Sequence, residues 1–482
     1  MTRLLFSILF FTCFGSFAQQ RAATEKAVAL LADNYNTGLY DAIYDQFSPQ
    51  AQAIVTHEDI VQFYKVNILQ HLGRITSWKY VDEVKTNANY LVNFERGKMA
   101  LQIAVANDLH ITYSEWFPVK KEKDIPHPKN PASIKTTNPR QTKLQLYLDT
   151  LALKYLKDPN NSGLSFGIIN GNTTETYYYG ETKKETNTLP DDKSLYEIAS
   201  ITKTFTAILL AHAVNEKKIA LNDDIRKYLP GEYPHLQFGV EPIRIVNLAN
   251  HTSGLPILPV DFIKVPGYDE SNPYLRYSKD MIYQYLKDFR PDTTAGSRSQ
   301  YSNLGFAVLG TIIENVYQKP LEELLKQTIT GPLKMGSTNF DVPESEKNLL
   351  ATGYSEEDGK AIPYWQFGAY KAAGGLKSNM QDMLIYLKTN MNNLNPDFSL
   401  SHKETDRQTD FGRGLAWTLE PFKGNINIWH NGGSGGFRTW CGYLKDKKIG
   451  IVILSNSSAD VDDTALGLLS FLIKNQAVKA VK

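Results

Sequence analysis

Residues 198–205 read IASITKTF, and the fold of the larger part of the chain turns on why Ser200 and Lys203 stand three apart at the mouth of an apolar run. On a helix, positions i and i+3 share a face, so hydroxyl and amine can meet across one turn. The run behind them carries Ile201, Phe205, Ile208, Leu209 and Val214, which predicts a largely buried helix with Ser200 at its exposed end. A capping serine followed by a solvated lysine would spell the same four letters. A catalytic pair demands more, because a serine hydroxyl is a poor nucleophile until a base takes its proton, and lysine is a base only when its amine is neutral. Burial achieves this by penalising the ammonium, and a nearby phenol can relay the proton.

The chain supplies candidate partners in a fixed order. YSN at Tyr301 to Asn303 lies in QYSNLGFAVLG, a loop leading into a second apolar stretch, and HNG at His430 to Gly432 directly follows the strand-like NINIW. Each triplet alone arises easily, as a second His-x-Gly at His71 to Gly73 shows. Order and context carry the reading: Ser-x-x-Lys opens a buried helix, Tyr-x-Asn precedes another, and His-x-Gly closes a strand.

Around these motifs the chain divides. From Thr24 it reads as helices, with Thr56 and Asp59 as a capping box for one that closes near Gly73. Strands follow at Trp78 to Glu83, Asn89 to Glu95, KMALQIAVA and LHITYSEWF. Residues 22–117 thus form a small α+β accessory domain without a catalytic constellation. Residues 118–143, rich in proline and lysine, read as a linker. A second domain, 144–478, opens with the helix LQLYLDTLALKYL, which stops at Asp158 and Pro159. Strands Leu164 to Asn170 and Thr173 to Gly180 flank a Gly171-Asn172 turn. Near the other end, Asn425 to Trp429, Phe437 to Leu444 and Ile449 to Ser455 read as strands, with a helix from about Asp462. Strands at both extremities with helices between predict one antiparallel sheet made from the two ends of the domain.

Composition narrows the function classes. The chain has 482 residues, and 52 Lys plus Arg nearly cancel 51 Asp plus Glu. No long basic run marks a nucleic-acid partner. Residues 1–18 carry Arg3, an apolar run and then Ser16, Phe17 and Ala18, the pattern of a cleaved signal peptide. Export to the periplasm or the medium is expected, and no later stretch has the roughly 18 apolar residues of a membrane span. Cleavage would leave Cys441 alone, which excludes an internal disulfide and a cysteine-based metal cage.

Together the three motifs resemble the penicillin-recognising serine hydrolases of the class C β-lactamase type, a family that includes D-amino-acid peptidases and esterases. The resemblance spans about residues 144–478 and extends to NHTSGLP at Asn250 to Pro256, AAGGLKSNMQDMLIYL at Ala372 to Leu387 and FGRGLAWTL at Phe411 to Leu419. It implies an α+β fold in which a five-stranded antiparallel sheet is flanked by helices and joined to an all-helical lobe. It further implies Ser200 as the acylated nucleophile, Lys203 as its base or proton relay, and Tyr301 as the donor to the leaving group. Asn303 would bind the substrate's amide carbonyl, and His430, where many relatives have lysine, would set the proton balance around Tyr301. Gly432 would let the strand approach the substrate, and the N–H groups of Ser200 and Gly433 would hold the oxyanion. No cofactor or metal is implied. Because histidine titrates near neutrality where lysine is a fixed cation, the resemblance favours an esterase or D-amino-acid peptidase over β-lactamase activity proper. A small ester, amide or D-amino-acid peptide is the expected substrate.

Two rival readings and a different class remain. GGSGG at Gly432 to Gly436 satisfies a nucleophile-elbow pattern around Ser434, but FRTWCGYL after it is β-rich where an elbow needs a helix. His251 reads as a turn residue organising its own backbone. A non-catalytic binder of peptide or cell-wall fragments would bind ligand without forming an acyl adduct.

Overall fold

The computed structural model describes residues 17–480, apart from 53–55, 70–71, 85–86, 107, 120–127, 393 and 408–410. Most of the leader at residues 1–18 lies outside the described residues. The chain forms two compact units, Met1–Asp124 and Ile125–Lys482.

In the first unit the helix Phe17–Thr37 and shorter helical segments, among them His57–Val61, precede an antiparallel four-stranded meander. Its strands are Ile75–Val84, Asn87–Phe94, Gly97–Val105 and Ile111–Pro118. Thr56 and Asp59 cap each other's backbone N–H groups at 3.0 and 3.1 Å. Alternation decides the packing: Ala88, Tyr90, Val92 and Phe94 all face inward and meet Val28, Leu31, Tyr35 and Tyr64 of the helical layer. Polar tips are satisfied inside, with Tyr35 donating to the Gly73 carbonyl at 2.6 Å and Trp116 Nε1 to the Tyr64 hydroxyl at 3.1 Å.

The linker reading of residues 118–143 needs correcting in its second half. Lys129 N–H donates to Lys157 O at 2.8 Å, Thr137 N–H to Tyr178 O at 3.1 Å and Gly180 N–H to Lys135 O at 2.9 Å. Lys135 to Thr137, between Pro131 and Pro139, hydrogen-bond along the outer edge of Thr173–Gly180, and prolines outside that stretch remove no ladder bond.

The second unit is built on a sheet of seven antiparallel strands, not five. Its order is Gly412–Arg413, Thr418–Phe422, Asn425–Gly433, Arg438–Leu444, Ile449–Ser455, Gly163–Asn170 and Thr173–Gly180. The first two went unread because Pro421 argues against a strand; it lies beyond the Gly412–Arg413 pairing, on an open edge, where its missing N–H costs nothing. The fifth and sixth strands of the order join the ends of the domain, Leu164 opposite Ser455 and Asn170 opposite Ile449.

Outside, helices Lys143–Leu156 and Asp462–Ala480 cover Phe166, Ile168, Ile451 and Ile453. The first helix begins at a capping box of Thr142 and Gln145. Inside, helix Met380–Asn392 lies close to the sheet, and a Cβ at Gly167 would fall 2.4 Å from Met380 Sδ, so a larger residue there would push that side chain aside. Beyond it stands the helical lobe, whose middle is Thr202–Asn215 with every residue from Thr202 to Ala211 buried. Among the described residues no helix is long and apolar enough to cross a membrane.

Candidate active site

Ser200 sits in a single 3₁₀ turn, Ala199–Ile201, that feeds the helix Thr202–Asn215. Ala199 before it holds φ +45°, a left-handed conformation that costs an L-residue energy and turns the chain sharply at the nucleophile. One turn on, Lys203 is fully buried. Its Nζ lies 3.1 Å from Ser200 Oγ, 2.7 Å from Asn303 Oδ1 and 2.7 Å from the Ala373 carbonyl. All three are neutral acceptors, so burial without a carboxylate holds its pKa well below the usual lysine value.

The Tyr301 hydroxyl donates to Ser200 Oγ at 2.8 Å, and the Lys203 ammonium position is 4.8 Å from its ring centroid. Although Tyr301 keeps 38% of its surface open, its phenol is pushed up, chiefly by burial, so it stays protonated through the neutral range. The exposed part of the residue leaves the hydroxyl bonded to Ser200. The loop is pinned from behind. Ser302 caps the helix Asn303–Tyr317 by accepting from Gly305 N–H at 2.8 Å and donates to Pro256 O at 2.7 Å. Asn303 turns its Oδ1 to Lys203 and its Nδ2 to the Tyr274 hydroxyl, 3.1 Å away.

His251 does more than organise its own turn. It is buried with φ +64°, accepts from Ser302 N–H through Nδ1 at 3.1 Å, and lies 4.4 Å from the Tyr301 ring. Burial, helped by Lys203, Arg413 and His430, depresses its basicity, so the imidazole is neutral.

The strand Asn425–Gly433 approaches the serine turn end-on. A Cβ at Gly432 would fall 2.3 Å from Ile198 O and 3.1 Å from Ser200 N, and Thr439 Oγ1 donates to Ile198 O at 3.1 Å. The two N–H groups expected to hold an oxyanion, those of Ser200 and Gly433, therefore belong to elements that touch. His430 is buried, with Nδ1 2.5 Å from the Asn431 carbonyl. Its pKa falls to about 3, through burial first and then the Lys203 charge. The expectation of titration near neutrality is corrected: the residue type permits it, but the surroundings remove it.

Ser434 lies in the turn between Asn425–Gly433 and Arg438–Leu444, its N–H bonded to Phe437 O at 3.0 Å. The setting is strand, turn, strand, without the helix an elbow requires. Among the described residues no group of three or more His, Cys, Asp or Glu could hold a metal ion.

Two residues near this centre escaped the sequence reading. Tyr274 holds Asn303 from a loop and stacks on Phe367 at 4.9 Å. Arg413, from the short edge strand, puts its charge within reach of Tyr301, His251 and His430. The glycine-flanked position in FGRGLAWTL was its only signal.

A serine turn on a buried helix, faced by lysine, tyrosine and a glycine-rich strand end, defines a serine-nucleophile site on an α+β frame. The Beta-lactamase family model matches residues 148–472, and the chain belongs to that family of serine hydrolases. It is 26% identical over 349 residues to a beta-lactamase of Providencia stuartii, a match covering 65% of this chain and 86% of that one. It is 29% identical over 321 residues to the D-alanyl-D-alanine-carboxypeptidase/endopeptidase AmpH of Escherichia coli K12, covering 62% and 80%. Among solved structures it resembles a beta-lactamase/D-alanine carboxypeptidase of Yersinia pestis complexed with citrate, at TM-score 0.58 and 25% identity over 65% of this chain and 94% of that one. A class C beta-lactamase shares the fold at TM-score 0.60 and 22% identity, over 69% and 98%.

Proposed function

We propose that the protein is a serine hydrolase that works through an acyl-enzyme on Ser200, acting as an esterase or D-amino-acid peptidase. The observation that carries this is Ser200 Oγ between the buried Lys203 amine at 3.1 Å and the Tyr301 hydroxyl at 2.8 Å.

Neutral Lys203 takes the Ser200 proton as Oγ bonds to the substrate carbonyl carbon. The carbonyl π-electrons move onto oxygen, which meets the N–H groups of Ser200 and Gly433. Collapse breaks the bond to the leaving group, Tyr301 gives that group its proton, and the lysine ammonium returns one to the phenolate. Water then attacks the acyl-serine, with the same groups moving protons in reverse order. Asn303 orients Lys203 and turns toward the substrate's amide. Neutral His430 accepts or donates one hydrogen bond beside Tyr301 without adding charge. The preference for esters or peptides over β-lactams rests on His430 in place of a lysine. Export, read from residues 1–18, belongs to the same proposal.

Intact mass of the protein after incubation with an activated acetyl ester, and separately with a penicillin, tests it in wild type and Ser200→Ala. An ester adduct lost in Ser200→Ala, with slow or absent penicillin labelling, is the expected result. Rapid, long-lived or turned-over penicillin adducts would shift the reading to β-lactamase chemistry. Equal labelling of both proteins, or none, would leave a binder.

A further inference from the structure

Three residues before the nucleophile stands Glu197, a buried carboxylate that takes no part in the acyl-transfer steps. It lies in the short strand Tyr196–Glu197, directly opposite Lys377 of the strand Lys377–Ser378, and Lys377 is buried as well. The two grip one peptide. Trp365 N–H donates to Glu197 Oε1 at 2.6 Å, and Lys377 Nζ donates to Trp365 O at 3.4 Å. Lys377 gives its remaining donors to the Phe340 and Gly375 carbonyls, at 3.1 and 3.2 Å. Burial works against both charges, while each favours the ionised form of the other. Apolar side chains of similar volume would fill such a place at lower cost, so what the pair contributes is a fixed geometry.

The Trp365 side chain carries that geometry toward the site in two directions. Its indole closes over the turn after the oxyanion strand: a Cβ at Gly435, two residues beyond Gly433, would fall 3.1 Å from Nε1. The buried Ser434 hydroxyl between those glycines lies near enough to the Glu197 carboxylate to favour its charge. In the other direction, the Trp365 ring centroid is 5.6 Å from that of Tyr274. The Tyr274 hydroxyl holds Asn303, which in turn holds Lys203.

We infer that Glu197 is a positioning residue: with Lys377 it clamps the Trp365 peptide, so that the indole keeps the Gly433–Gly435 turn and Tyr274 where the oxyanion donor and Lys203 need them. The inference rests on the acyl-serine reading. Glu197 acts through Trp365, and its loss shows in the rate of acylation rather than in binding, because the oxyanion forms only on the way to the tetrahedral intermediate.

The test is acylation of the full-length protein by an activated acetyl ester, followed by stopped flow over a range of ester concentrations; an acetyl group offers no surface to stack on the indole. Wild type is compared with Glu197→Ala, Glu197→Gln, Trp365→Ala and the double variant Glu197→Ala/Trp365→Ala. In Glu197→Ala the saturating rate should fall by about 10- to 100-fold, the scale of a misplacement of about 1 Å, with half-saturation changed by less than about threefold. Glu197→Gln keeps an acceptor for the Trp365 N–H and should recover most of the rate. Trp365→Ala should slow on the same scale, and the double variant should be about as slow as Glu197→Ala alone, since both changes break one path. An unchanged saturating rate in Glu197→Ala or Trp365→Ala overturns the inference. So does a Glu197→Gln variant as slow as Glu197→Ala, or a double variant whose loss is the product of the single losses. The Trp365 ring is only partly buried, so the Trp365→Ala rate decides the matter even where Glu197→Ala does not fold. Wild type acylated on Ser200, with variants that match it, sinks the positioning role alone; no Ser200-dependent acylation of wild type sinks the acyl-serine reading beneath it.

Discussion

Replacing Lys203 by methionine should abolish most activity while changing the pH dependence of stability in a direction fixed by burial. The side chain is fully buried and its pKa is lowered well below 10.5 by desolvation alone. In the unfolded chain the amine keeps its ordinary pKa, so between the lowered folded value and 10.5 the unfolded state binds more protons. Stability contributed at this position therefore rises with pH through that window, by up to about 1.4 kcal/mol per unit. Methionine removes the titration but leaves Asn303 Oδ1 and Ala373 O without their donor, a loss of about 1–3 kcal/mol each. The two effects oppose each other in absolute stability, so the difference between proteins against pH is the informative quantity. Urea denaturation at pH 7, 8, 9 and 10 should show Lys203→Met losing ground to wild type as pH rises. The acylation rate with an activated ester should drop by about 10² to 10⁴, the usual worth of a general base. Stability curves that run parallel from pH 7 to 10 would mean that the lysine keeps an ordinary pKa in the fold, and the neutral-base argument would fall.

Three further outcomes follow from the geometry. His430, held at about pKa 3 by burial, is neutral from pH 5 to 8, so the kcat/KM profile should show no limb near 6.5 that His430→Asn removes; in stability, wild type should gain on that variant as pH rises from about 3 to 6.5. Gly432→Ala would put a methyl 2.3 Å from Ile198 O and 2.5 Å from Thr439 Oγ1, parting the strand from the serine turn, and stopped-flow acylation should slow by about 10²-fold or more; an unaltered rate would contradict the close approach. Ser302→Ala removes an N-cap and leaves Gly305 N–H and Pro256 O unpaired, so denaturant unfolding should register a loss of about 1–2 kcal/mol, and no loss would mean that the loop is held by other bonds.

The motif order was legible because each catalytic group stands at the start or finish of an apolar run, and such runs declare helices and strands without an alignment. Ser200 and Lys203 come together through helical periodicity alone. What escaped depends on residues distant in sequence. Arg413 reads as one cation between glycines, and its location depends on a turn that sends the chain back along Thr418–Phe422, with Ala416 at φ +67°. Tyr274 sits in a loop without periodicity and is aimed by stacking on Phe367. For His430 the residue was legible but its charge was not, because type sets the ordinary pKa and only packing sets the shift. The edge strand was hidden by Pro421, a breaker anywhere but at an edge.

The pairing of Leu164 with Ser455, which joins the two ends of the domain in one sheet, has a consequence for how the protein is made. A chain emerging N-terminus first completes the Ser200 helix long before the strand that ends at Gly433, and the strand Ile449–Ser455 that joins both halves comes later still. Closing so long a loop is slow. The nucleophile and the Gly433 oxyanion donor are thus kept apart until synthesis is nearly finished, and a chain cut short before Ile449 would carry every catalytic side chain without the strand that ties the two ends of the domain into one sheet.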